Sequence, residues 1–210
     1  MNQLIKSIWR FPLKKKMRSK LIINNVRIVS SNCIGGILYN ELGLEFLSPT
    51  INLTIEPFGK FCSKLDYYLN YKTNDWVMSY DFKEGYPVAK IDEITIKGVH
   101  YDSEKEMKAA WKGRKDRFYE SNYEIVLMAS DTQLKTEEDR RLFCQLPYKK
   151  VCFTNRRDKL SGKEFVYIPG FEEKENVGDL TQFVDFFGNR VFEKYFDCVE
   201  WLNRDHANYF

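Results

Sequence analysis

The sequence contains no run of about 18 apolar residues, so no segment reads as a membrane-spanning helix. Histidine is scarce, limited to His100 and His206. That excludes a histidine-rich metal site and leaves carboxylate ligands open. The five cysteines (Cys33, Cys62, Cys144, Cys152 and Cys198) are odd in number and never spaced as C-x-x-C. Such scatter argues against a disulfide framework or a structural zinc site and fits a reducing compartment. Repeats and low-complexity stretches are missing, and the basic start lacks the apolar core and cleavage site of a signal peptide. Together these absences predict a cytoplasmic chain, free or peripheral to the inner membrane face.

The 210 residues are 43 % hydrophobic and 16 % aromatic, enough for one compact domain and too apolar for disorder. The net charge of +3 conceals an asymmetry. Seven of the 33 Lys and Arg residues fall within residues 1–20, which hold no acid, so the other 26 face all 30 acids at a net −4. This basicity is local and does not make a nucleic-acid-binding face. Leu4, Ile5, Ile8 and Trp9 share one helical face before Pro12, and Leu13, Met17 and Leu21 repeat at four-residue intervals after it. Residues 1–24 therefore read as a basic helical segment ahead of a single domain over 25–210. Either its apolar faces pack on the body, or it lies on an anionic bilayer, where each basic residue adds roughly 1 kcal/mol.

Beyond it, VRIVSS (Val26–Ser31) reads as a buried strand followed by a small-residue loop and a helix that stops at Gly43. A short strand at Ile51–Ile55 precedes a helix over Pro57–Tyr71, with Phe58, Phe61, Cys62, Leu65, Tyr68 and Leu69 inward. Residues 72–86 show no period and read as an irregular excursion. Val88–Ile91 and Ile94–His100 form a hairpin about Asp92-Glu93. Ser103 with Glu106 opens a helix to about Phe118, in the pattern of a capping box. Strands at Glu124–Ala129 and Lys150–Thr154 flank a helix starting at Thr136. From Ile94 to Thr154 the alternation predicts parallel strands joined by right-handed crossovers. A strand at Glu164–Ile168 and a helix over Gly188–Leu202 follow. The expected fold is a three-layer α/β/α domain with a mostly parallel sheet and antiparallel pairing near residues 88–100.

Ligands of open parallel sheets bind beyond the carboxyl ends of the strands. That rule selects Ser31-Asn32-Cys33, His100-Tyr101, Ser130-Asp131 and Thr154-Asn155. Gly35 and Gly36 open a helix whose free N–H groups favour anions, although the loop matches neither dinucleotide nor P-loop fingerprints. The same glycines serve equally well as a tight helix–strand joint. Cys33 at that helix start is expected to have a lowered thiol pKa if partly exposed, with His100 as base and Asp131 as orienter, the arrangement of covalent acyl transfer; the alternatives are a buried structural cysteine and a strand-end histidine bonded to nearby backbone. Arg114 lies in the apolar stripe of Met107, Trp111 and Phe118, with Arg117 nearby. Either arginine reaches a phosphate or carboxylate of a ligand, or it pairs with an internal acid or snorkels along Trp111 to water.

Ser31-Asn32-Cys33 with Gly35-Gly36, the run Ser48-Pro49-Thr50-Ile51-Asn52-Leu53, His100-Tyr101, Trp111 with Arg114 and Arg117, Phe153-Thr154, and Tyr167-Ile168-Pro169-Gly170-Phe171 carry a resemblance. Together with Tyr86-Pro87-Val88 they resemble a bacterial family of unknown function, DUF1919, over nearly the whole chain beyond Asn25. The resemblance implies exopolysaccharide or capsule assembly, with no established catalytic residues to carry over. Asn32-Cys33 also resembles the Gly-Asn-Cys-Gln of capsule acyltransferases, with Ser31 for the glycine and Ile34 for the glutamine. The implied function is acyl or glycosyl transfer from a nucleotide-sugar or acyl donor to a polysaccharide precursor, with Asn52 among the binding residues and the cofactor unknown. The alternative is a non-catalytic scaffold, touching an anionic membrane through residues 1–20.

Overall fold

The computed structural model describes residues 10–157, 163–185 and 188–204, so the apolar face predicted over Leu4–Trp9 lies outside the described residues. Pro12 opens helix α1 (Phe11–Lys20), where a missing backbone donor costs nothing. Strand β1 (Arg27–Ser30) runs into helix α2 (Ile34–Leu42), which Gly43 ends in the left-handed conformation at φ 72°. Strand β2 (Thr54–Glu56) precedes two short helices, α3 (Phe58–Ser63) and α4 (Leu65–Asn70). The single helix expected over 57–71 is thus broken at Lys64, yet all six residues predicted inward are buried.

Strands β3 (Val77–Asp81), β4 (Tyr86–Ile91) and β5 (Ile94–Lys97) follow. Helix α5 (Glu104–Glu120) starts at Ser103, whose hydroxyl accepts from the Glu106 N–H. Strand β6 (Ile125–Ser130), helix α6 (Glu137–Gln145) and strand β7 (Lys149–Thr154) form a parallel crossover unit. Thr136 caps α6 by accepting from the Asp139 N–H. Strand β8 (Phe165–Tyr167) and helix α7 (Cys198–Asn203) are the last strand and helix among the described residues. The continuous helix expected over 188–202 is instead a 3-10 turn at Phe192–Lys194 and then α7, which Asp197 caps anew.

The strands divide into a parallel sheet in the order β1-β6-β7-β8 and a separate antiparallel sheet in the order β2-β5-β4-β3. The fold is therefore mixed α/β, with helices packed around both sheets. One expectation is corrected. β5 does not join the parallel sheet, because the two-residue turn at Asp92-Glu93 commits it to β4 while β2 takes its other edge. Helix α5 therefore passes from one sheet to the other, and β6 pairs with β1 instead. The segment expected to be irregular holds β3, an edge strand too exposed on both faces to show a period.

Both faces of the parallel sheet are covered. Ile28, Val126, Met128, Val151 and Phe153 pack with α2 and α7, while Val29, Leu127, Ala129 and Cys152 face a second core shared with α3, α5, α6 and the antiparallel sheet. Gly59 makes α3 and α6 close neighbours, since a Cβ there would stand 2.0 Å from the Asp139 carbonyl oxygen. Tyr39 ties α2 to β1, accepting from the Ile28 N–H at 2.7 Å and donating to the Val26 carbonyl at 2.8 Å. No helix among the described residues is long and apolar enough to cross a membrane.

Candidate functional site

Beyond the carboxyl end of β1 the chain turns through Ser31, Asn32 and Cys33 into α2. Ser31 Oγ and Asn32 Nδ2 both donate to Gln133 Oε1, and Ser130 Oγ donates to the same oxygen at 2.8 Å. This buried knot joins the tips of β1 and β6 and satisfies side chains that would otherwise be costly to bury. Asn32 Oδ1 also accepts from the Ile34 N–H at the first turn of α2. The glycines behind it serve packing. A Cβ on Gly35 would stand 2.8 Å from Ser30 Cβ, and one on Gly36 would stand 3.0 Å from Ile51 and 3.1 Å from Asn52 Oδ1.

Cys33 and His100 line one open cleft of about 420 Å³. Cys33 comes from the start of α2 and His100 from the turn that follows β5. Asn52, held at a left-handed φ of 63°, comes from the loop before β2. Asn40 and the ring of Phe46 continue the wall, and Lys14 and Arg190 close its far edge from α1 and the C-terminal region. The volume lies within the usual range for a small-ligand site. Five chain segments meet there, and the polar donors and acceptors outnumber the apolar groups.

The thiol runs against expectation. Burial, helped by the nearby carboxylate of Asp179, pushes the Cys33 pKa up to about 11, where a lowered value was expected from the helix start. Desolvation of the thiolate is the larger cause of the rise. Native Cys33 should therefore react with iodoacetamide at pH 7.5 at least about tenfold more slowly than in the unfolded chain, even after allowing for the greater nucleophilicity of a high-pKa thiolate. Its rate should climb with pH towards 11. Site-resolved mass spectrometry over a pH series checks this, and rapid labelling at neutral pH would reinstate a preformed thiolate.

Asp131 is not near enough to the pair's cleft to line it. Its carboxylate accepts from the Asn155 N–H and the Val177 N–H, each at 3.0 Å, so it stitches β6, β7 and the following loop together. With Thr154 it borders a separate notch of about 60 Å³, which Arg140 and Arg156 also line. Asn155 is buried, and its Nδ2 donates to the Phe171 and Lys174 carbonyls. Thr154 Oγ1 accepts from the Arg156 N–H. The expected orienter of the imidazole thus works in the scaffold.

The two arginines of α5 also have protein partners. Arg114 donates to the Ile51 carbonyl at 2.9 Å and to the Tyr101 hydroxyl at 2.6 Å, while that hydroxyl donates to the same carbonyl at 3.2 Å. Arg117 donates to the Phe46 carbonyl at 3.0 Å. Both brace the loop that carries Phe46 and Asn52 to the cleft.

The two cations that do line the cleft, Lys14 and Arg190, were missed in the sequence reading. Arg10, Lys14 and Arg18 repeat at four-residue spacing, which puts them on one side of α1, and that spacing was the available signal. Arg18 donates to the Asn40 and Glu41 carbonyls at the end of α2, where positive charge complements the helix dipole. Arg190 carries no local pattern that marks it.

Comparison with known proteins adds kinship. The family described as a domain of unknown function (DUF1919) matches residues 4–203. The chain is also 33 % identical over 197 residues to an uncharacterized protein of Haemophilus influenzae, an alignment spanning 92 % of each chain. The family match runs through α1 and all five segments that build the cleft.

Proposed function

Since the chain belongs to the DUF1919 family, which comes without an assigned activity, we propose that it is a transferase. It moves an acyl or glycosyl group to a hydroxyl of a polysaccharide precursor. The observation that carries this reading is the meeting of Cys33, His100 and Asn52 in one open cleft of about 420 Å³. The polysaccharide setting rests on the family resemblance drawn from the sequence.

Direct transfer fits the chemistry better than a covalent enzyme intermediate. The His100 imidazole takes the proton of the acceptor hydroxyl as its oxygen bonds to the donor carbon. The bond from that carbon to the leaving group breaks, and the leaving group departs with the electron pair. A thiol raised to about 11 stays protonated through such a cycle and serves as a neutral wall and weak donor. Asn40 and Asn52 are suited to orient a polyhydroxylated acceptor, each offering both a donor and an acceptor.

The test is a donor panel of nucleotide sugars and acyl-coenzyme A esters, read first by thermal shift and then by donor consumption with a bacterial polysaccharide extract as acceptor. At about a hundredfold excess over Kd a true donor stabilises the fold by roughly 2.7 kcal/mol, or roughly 5–10 °C in Tm. One donor class should both bind and be consumed, and Cys33→Ala should leave consumption within about threefold of the wild-type rate, since direct transfer forms no bond to the thiol. Consumption abolished by Cys33→Ala would favour a covalent route, and a panel with neither binding nor consumption would overturn the transferase reading.

A further inference from the structure

Building on the transferase reading, we propose that the α1 edge of the cleft seats a phosphate group of the substrate, gripped between Lys14 and Arg190. Both side chains line the cleft, Lys14 donating to Asn40 Oδ1 and Arg190 to the Thr181 carbonyl. The substrate class that follows is a phosphorylated carbohydrate, with its sugar lying towards Phe46, Asn52 and His100.

The charge balance at this edge favours an anion. Arg10, Lys14, Arg18 and Arg190 converge there against Glu41 and Glu193. Glu41 is spent inside the protein, with one oxygen on Arg10 and the other 3.4 Å from Arg190. Glu193 is spent likewise, bound through both oxygens to Arg10 at 2.7 and 2.9 Å. Asp179 accepts from the N–H and hydroxyl of Thr181. Lys14 has no carboxylate within ion-pair reach among the described residues, and its ammonium meets only the Asn40 amide oxygen at 3.3 Å. Burial and then the charges of Arg10, Arg18 and Arg190 all act to lower its pKa, which is the mark of a cation held among cations. A phosphate would reverse that penalty and accept from the ammonium.

Arg190 supplies the second half of the grip. It donates to the Thr181 carbonyl and leans on Glu41, and its guanidinium lies 4.3 Å over the Phe183 ring. Stacked and anchored, with Nε buried, it keeps a fixed guanidinium whose remaining terminal N–H groups suit phosphate oxygens. Phe46, itself exposed and edge-on to Tyr39, offers a ring face for the carbohydrate.

The phosphate could belong to a soluble nucleotide sugar or to a polyprenyl-linked sugar in a bilayer. Lys15, Lys16 and Lys20 are exposed on the helix that carries Lys14, so contact with a bilayer is testable beside binding of a soluble donor. Calorimetry with sodium pyrophosphate and with uridine diphosphate glucose is the first arm, and flotation with phosphatidylcholine vesicles carrying a polyprenyl pyrophosphate is the second. Wild-type protein should bind pyrophosphate, and Lys14→Glu should weaken that binding at least about tenfold, the usual cost of one charged hydrogen bond. Lys15→Gln should leave it unchanged. Lys14→Gln supplies the same comparison should the charge reversal disturb folding. Lys14-dependent binding in either arm supports the seat and identifies the source. Absence of pyrophosphate binding, or equal binding by wild type and both Lys14 variants, overturns it. Donor turnover that ignores Lys14 would sink the seat while sparing the transferase reading, and Lys14-dependent binding without turnover of any donor would do the reverse.

Discussion

Arg10→Ala should cost the fold about 3 kcal/mol, at the lower end of the roughly 3–5 kcal/mol lost when one partner of a buried ion pair is removed. Arg10 is 1 % exposed and binds the Glu193 carboxylate through two nitrogens, with further bonds to Glu41 and the Gly188 carbonyl. Glu41 sits in the last turn of α2, where the helix dipole opposes a negative charge, so cations must hold it there. Without the guanidinium, two carboxylates stay out of water with less compensation than they need. Arg190 remains within 3.4 Å of Glu41, which is why the lower end applies. In a chain this long the change should lower Tm by on the order of 10 °C. Urea melts of Arg10→Ala, alone and combined with Glu41→Gln, check the reason as well as the size. The second change should recover part of the loss, because it removes a stranded charge. A loss below about 1 kcal/mol would mean that the cluster behaves as an exposed pair does.

The same cluster explains what the sequence could and could not disclose. Strands β1, β6 and β7 were legible because each is a short run of β-branched and apolar residues buried on both faces. Helices α5 and α6 were legible from Ser103 with Glu106 and from Thr136 with Asp139, where the caps are local and chemical. β3 left no trace, since Val77 and Tyr80 are exposed and an edge strand held only by backbone pairing to β4 needs no period. The membership of β5 was misread because a strand followed by a helix looks the same whether the next strand joins its sheet or another. His100 therefore reaches the cleft from the antiparallel sheet and not from the parallel rim. Cys33 was found from its place after β1, but its ionisation depends on burial by segments distant in sequence. Lys14 and Arg190 stand at opposite ends of the chain, and only folding brings them to one edge.

Replacing His100 is the sharpest question that can be put to the transferase reading. Removing a positioned general base typically slows a reaction about 10²–10⁴-fold, so His100→Ala should reduce donor consumption by that factor. The fold should be indifferent, because His100 is exposed in a turn and belongs to neither hydrophobic core. Thermal melting within a degree or two of wild type would separate lost chemistry from lost structure. His100→Gln retains hydrogen bonding without a basic nitrogen, and it should be nearly as slow if the proton is what matters. Added imidazole should restore part of the rate to the alanine variant, since the cavity left behind opens on solvent and admits a diffusible base. A residue that only shaped the cleft would show no such rescue. Should His100→Ala run within about threefold of wild type, proton transfer would have to come from elsewhere, and the cleft would be better read as a binding site.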